Sequence, residues 1–124
     1  MIVQIAPRGV ARAPFLIHAG QSISDARDVG GWDPLGVQLP TAWTTANLTF
    51  LAAERFNGTY LPVYGPTLTE ARLTVGSQQR TILVVSGIAD LRGLRYMKLR
   101  SGTEASPVVQ VADRTVNMLV RQGA

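Results

Sequence analysis

A chain of 124 residues is the size of one domain, and folding at that length buries roughly two-thirds of the unfolded surface, so a core forms without metal or disulfide help. Cysteine is absent and His18 is the single histidine, which excludes disulfide staples, thiol nucleophiles and the common zinc sites. Twelve Lys and Arg against eight Asp and Glu leave a net charge of +4; all but Lys98 of these cations are arginine, whose planar fork suits protein interfaces as well as nucleic acid.

Residues 1–14 contain Pro7, Arg8, Arg12 and Pro14 and little apolar periodicity, so they read as an extended arm. Such an arm is either an edge-strand terminus or a segment that orders against a neighbouring subunit. The segment lacks the basic start and apolar run of a signal peptide, and its two prolines oppose the amphipathic helix of a mitochondrial presequence. No stretch approaches the ~20 apolar residues of a membrane helix, so no membrane association is expected.

Residues 15–124 read as one domain. "FLIHAGQSI" (15–23) is a first core strand, and "SDARDVGGWDPLGVQLP" (24–40), rich in glycine and proline, is a loop-like connection with room for one helical turn in "SDARDV". In "ANLTFLAA" (46–53), Leu48, Phe50 and Ala52 fall on one side and Asn47, Thr49 and Leu51 on the other, as in a half-buried strand. Asn57-Gly58 then predicts a tight hairpin through positive φ angles, with Pro62 confining the return strand to an edge or bulge and Gly65-Pro66 making the next turn. "EARLTV", "QRTILVVSG", "LRYMKLRS", "SPVVQV" and "RTVNMLVRQ" are five further strand candidates, and "VSGIADLRG" could hold another helical turn. The expectation is an all-β, antiparallel sandwich, with closure as a barrel not separated by periodicity alone.

The most basic stretch is "LRGLRYMKLRSG" (91–102). As a helix its leucines drift around the axis and Gly93 weakens it. As a strand from Leu94 it sends Met97 and Leu99 to one side and Tyr96, Lys98 and Arg100 to the other. The cations then line a solvent or partner face.

Catalytic chemistry finds little support. His18 sits in an apolar segment with no serine or carboxylate at a triad-like spacing, and no phosphate-cradling glycine motif occurs. Asp25, Asp28 and Asp33 could supply oxygen ligands to calcium, but their spacing is not an EF-hand and turn capping is the ordinary role of loop aspartates; no metal or other cofactor is expected. Single-stranded nucleic acid is disfavoured because only Arg92, Arg95, Lys98 and Arg100, beside Tyr96, form a basic and aromatic stripe. For a glycan, Trp32 with Tyr60 and Tyr64 offers flat apolar faces, whereas Trp43 at the start of a strand is core.

Two resemblances add to this reading. "ANLTFLAAERFNGTYLPVYG", with Asn57-Gly58, Tyr60 and Pro62-Val63, and "LRYMKLRS", with Arg95-Tyr96 and Lys98-Leu99, resemble strands of discoidin-like, galactose-binding-like jelly-roll sandwiches. The cysteines that often bracket secreted members are absent, and the N-terminal third does not align. The run "PTAWTTANLTF" (40–50), "LRGLRYMKLRSGT" (91–103) and "SPVVQVADRTVNMLVR" (106–121) resembles small virion proteins encoded among the structural genes of tailed bacteriophages. That likeness implies a virion location and a non-enzymatic head decoration (cement) or other accessory structural protein. It would be present in many copies or as a homo-oligomer, bound to the major capsid protein or to neck or tail subunits. The expected docking surface is Arg92, Arg95, Lys98 and Arg100, with Arg8 and Arg12 on the arm as a second contact. A carbohydrate-binding or receptor-binding accessory domain is the alternative.

Overall fold

Alternation of buried and more exposed residues builds the two longest strands of the molecule. The computed structural model describes residues 4–5, 10–75, 82–84 and 94–122, with backbone alone at 4–5, 10, 82–84 and 122. Its strands are β1 (Gln4–Ile5), β2 (Val10–Ile17), β3 (Arg27–Asp28), β4 (Trp32–Gln38), β5 (Leu48–Ala53), β6 (Leu61–Pro62), β7 (Arg72–Leu73), β8 (Ile82–Val84), β9 (Tyr96–Ser101) and β10 (Arg114–Gln122). The described residues contain no helix, hence none long and apolar enough to cross a membrane.

The strands form two antiparallel sheets. The first has the order β1-β2-β10-β4-β8; the second has β3-β9-β5-β6, with β7 sharing the outer edge of β5 with β6. Ala13, Phe15 and Ile17 of β2, Val116, Met118 and Val120 of β10 and Val37 of β4 line the inner side of the first sheet. Leu48 and Phe50 of β5 and Met97 and Leu99 of β9 line that of the second, and all belong to one buried cluster. The protein is thus an all-β antiparallel sandwich. Fixed spacing between the layers makes the outer faces rigid platforms, which is what a docking or binding surface requires.

The arm is shorter than expected. Residues 10–14 belong to β2, which pairs with β10 from Arg114↔Ile17 to Arg121↔Val10, and of the described residues in the expected arm just the two of β1 lie outside it, at the sheet edge. The alternation Ala11, Ala13, Phe15, Ile17 drives this, because small inward alanines still bury fully between the layers.

The connection 24–40 is also more ordered than its glycines and prolines suggest. It holds β3 and the whole of β4, with no helical turn in "SDARDV". A register shift places Pro34 opposite Val120 and Gly36 opposite Leu119, so Leu35 is the extra residue of a bulge; among the described residues, β8 pairs with Gly36–Gln38. The segment "VSGIADLRG" lies outside the described residues.

Two further expectations change. "SPVVQV" is not a strand: it is held by a bridge between Gly102 and Pro107 and by Gln110, whose fully buried amide binds Thr44 and the Ser101 hydroxyl. Asn57-Gly58 makes no positive-φ turn; the Gly58 N–H donates to the Arg55 carbonyl at 3.0 Å, closing a turn inside a wider loop of residues 54–60. Pro62 does lie in an edge strand, and the turn beginning at Gly65 is present.

Candidate docking surface on the second sheet

Strand β9 turns Met97 and Leu99 inward and Tyr96, Lys98 and Arg100 outward, as its alternation predicts. Outward does not mean free. Arg100 is buried: its Nε donates to the Thr49 hydroxyl at 3.0 Å and its Nη2 to a Glu70 carboxylate oxygen at 2.6 Å, with side-chain exposures of 7% and 14% for the ion pair. Ile23 bridges Arg100 along the other edge of β9. The expectation that Arg100 faces a partner is therefore corrected; flanking segments cover it, and its charge is spent within the chain.

Lys98 and Arg95 remain accessible and are held by aromatic rings. The Lys98 ammonium lies 4.4 Å from the centre of the Tyr60 ring, and the Arg95 guanidinium lies 5.0 Å from that of Tyr96. Loop 54–60 folds over this end of the sheet: Phe56 meets Tyr96 edge-to-face at 6.0 Å, and the Tyr60 hydroxyl donates to the Phe56 carbonyl at 2.7 Å. Phe56 nonetheless stays 50% exposed, with exposed Arg55 next to it in the chain; Leu61, 62% exposed, lies opposite Ala52 and so on the face of Met97, not that of Lys98. Among the described residues, neither Arg55 nor Lys98 has a carboxylate partner. An open depression of ≈ 700 Å³ runs past Arg55, Leu61, Leu94 and Arg95. A second, of ≈ 760 Å³, lies between loop 54–60 and the 18–27 connection, lined by His18, Asp25, Arg27, Asn57, Tyr60 and Lys98.

Arg95 also binds Asp28, at 3.3 Å from both Nε and Nη2. Burial pushes the Asp28 carboxyl up, but the Gly30 N–H and the Arg95 guanidinium outweigh it, leaving its pKa below the ordinary 3.8. A lowered folded-state pKa gives stability that is present above the unfolded value and lost as pH falls through the folded one. Both side chains are substantially exposed, so solvent screening keeps the effect small. Asp28→Asn should melt slightly below the wild type above the ordinary carboxylate range, with the gap closing as the pH falls through and below that range. A gap of the same size at both ends of a melting series would show that the carboxylate charge is irrelevant.

The remaining candidates do not assemble into one site. Arg12 lies on β2 in the opposite sheet, and Arg8 and Arg92 lie outside the described residues. Of the glycan candidates, Trp32 is half-buried against the core, Tyr60 sits under Lys98, and Tyr64 donates to Glu104 on the far side of the β6–β7 excursion. Trp43 is core, as expected, with its Nε1–H donating to the Ala46 carbonyl. Asp25 contacts His18, Asp28 contacts Arg95 and Asp33 is in β4, and no metal-binding group of three occurs among the described residues. Phe56, Arg55 and Leu61 were not among the sequence candidates; the signal available was an aromatic residue beside an arginine in a turn-rich stretch.

Comparison with protein-family models, curated proteins and solved structures gives no match to this chain.

Proposed function

We propose that this chain is a non-enzymatic structural protein of a virion, bound to capsid, neck or tail subunits as a decoration or cement protein present in many copies. The observation that carries the docking part is the patch on the second sheet, where exposed Phe56, edge-on to Tyr96, stands beside Arg95 and Lys98, with Arg55 exposed next to it in the chain. Aromatic residues and arginine are the residues enriched in protein interfaces, and a rigid sheet beneath them limits the entropy lost on binding. The cationic rim suits an acidic partner surface. The virion setting rests on the likeness of residues 35–121 to phage structural proteins, and a galactose-binding-like jelly roll is the finer fold assignment that goes with it.

Co-sedimentation of the purified protein with shells assembled from the capsid subunit tests the reading. Arg55→Glu with Lys98→Glu should weaken binding at least tenfold, about 1.4 kcal/mol, while the melting temperature changes little. Wild-type affinity in that double variant would sink the surface assignment.

A second reading, carbohydrate binding, is favoured by the groove beside Tyr60, where an aromatic ring, Asn57, Asp25 and Lys98 converge at the size of a small ligand. In that case Tyr60, not Trp32, carries the sugar, and Tyr60→Ala abolishes signal on a glycan array while Trp32→Phe does not.

A further inference from the structure

Loop 54–60 carries Asn57-Gly58 without the positive-φ turn that this pair of residues ordinarily builds. The chain has three asparagines, and the fold treats them differently. The Asn47 side-chain oxygen accepts the Val75 N–H at 2.8 Å, and its main chain leads into fully buried Leu48. Asn117 lies within β10, opposite Pro14 on one side and Gln38 on the other, and is followed by fully buried Met118. Asn57 is exposed, and its side-chain amide makes no hydrogen bond among the described residues. Its successor is an exposed glycine, with no side chain to shield the peptide nitrogen.

An unengaged carboxamide beside an accessible glycine nitrogen is the arrangement that cyclises. The Gly58 nitrogen gives up its proton and attacks the Asn57 Cγ; the N–C bond of a cyclic imide forms, and the side-chain nitrogen leaves as ammonia, carrying that proton. Water then opens the imide at either carbonyl and leaves an aspartyl or isoaspartyl residue at position 57. One bond opposes the first step. The Gly58 N–H donates to the Arg55 carbonyl at 3.0 Å, so the nitrogen must leave that turn before it reacts. The turn belongs to a surface loop outside both ladders, where local opening costs little. Tyr96 and the Tyr60 hydroxyl hold Phe56, while the two residues after it stand clear.

Position gives the product a consequence. Asn57 shares a groove with Lys98, and exposed Arg55 precedes it by two residues. The acids already present keep other company: Asp25, across the groove, binds His18 at 3.1 Å, and Glu54 borders the neighbouring depression. A carboxylate at position 57 subtracts one unit of charge from the cationic side of the docking patch.

We propose that Asn57 is a site of spontaneous deamidation, and that the carboxylate formed there weakens the hold of the patch on an acidic partner. The effect on binding rests on the docking function proposed above; the chemistry at Asn57 stands apart from it.

Folded protein aged in mildly alkaline buffer, with a guanidinium-unfolded sample in parallel, tests the chemistry by peptide mapping of all three asparagines. In the folded protein Asn57 should convert at least about tenfold faster than Asn47 or Asn117, and within about a hundredfold of its own rate in the unfolded chain. Conversion no faster than at the other two, or a native rate below that hundredfold margin, would mean that the Gly58 turn seals the site, and overturns the proposal. In shell co-sedimentation, Asn57→Asp should bind about threefold more weakly than the wild type, whereas Asn57→Gln, which stays neutral and cyclises poorly, should bind equally well and resist ageing. Undiminished binding by Asn57→Asp, together with its loss in the Arg55 and Lys98 double variant, overturns the effect on docking alone. Wild-type protein that binds no shell overturns the docking function, and the peptide map still decides the deamidation.

Discussion

Arg100→Met is expected to destabilise the fold by about 3 kcal/mol, lowering the melting temperature by about 10 °C. The substitution leaves the Glu70 carboxylate, 14% exposed and accepting at 2.6 Å in the native pair, without its counter-charge, and strips a donor from Thr49. Removing one member of a buried pair costs more than removing both, because the survivor keeps its desolvation penalty. The double variant Arg100→Met with Glu70→Met should therefore recover most of the loss and come within about 1 kcal/mol of the wild type. Chemical denaturation of the four proteins measures the coupling directly. Equal, additive losses from the two single substitutions would mean that the pair makes no net contribution and that burial of Arg100 reflects its aliphatic stem alone.

Gly102→Ala should cost about 3–4 kcal/mol, through backbone strain and displaced chain together. Gly102 has φ +93°, and a Cβ there would stand 2.4 Å from the Ser106 carbonyl oxygen, 2.7 Å from the Val108 nitrogen and 2.9 Å from the Pro107 Cα. All three are main-chain atoms of a loop pinned by the Val108 N–H to the Ser101 carbonyl, so no side chain can swing aside. Gly20→Ala is the matching control, since Gly20 has φ +79° and nothing within 4 Å of the added carbon. It should lose only the strain, about 1–2 kcal/mol. Equal losses at the two positions would mean that the 103–108 loop moves at no cost.

The long strands whose apolar residues are large and regularly spaced could be read from sequence alone. Leu48 and Phe50, Met97 and Leu99, and Val116, Met118 and Val120 all point where a period of two sends them. The elements that escaped did so for physical reasons. In β2 the inward residues include two alanines, too small to mark a buried face beside Arg12 and Pro14. In β4 a bulge absorbs a proline and a glycine that elsewhere signal a loop. Lys98 was legible as an outward cation, but the fate of Arg100 depended on Glu70, which the β6–β7 excursion brings back from a distant part of the chain. Phe56 gains meaning only once loop 54–60 folds over Tyr96.

Placing β10 between β2 and β4 has a consequence for biosynthesis. The neighbours it joins emerge from the ribosome long before it does, and until residues 114–122 arrive each of them presents a bare row of amides and carbonyls. Assembly is thus driven by its most distant partners, a regime in which closure takes milliseconds to seconds rather than microseconds. A nascent or trimmed chain lacking that final ribbon is a sticky intermediate, open to strands from other copies.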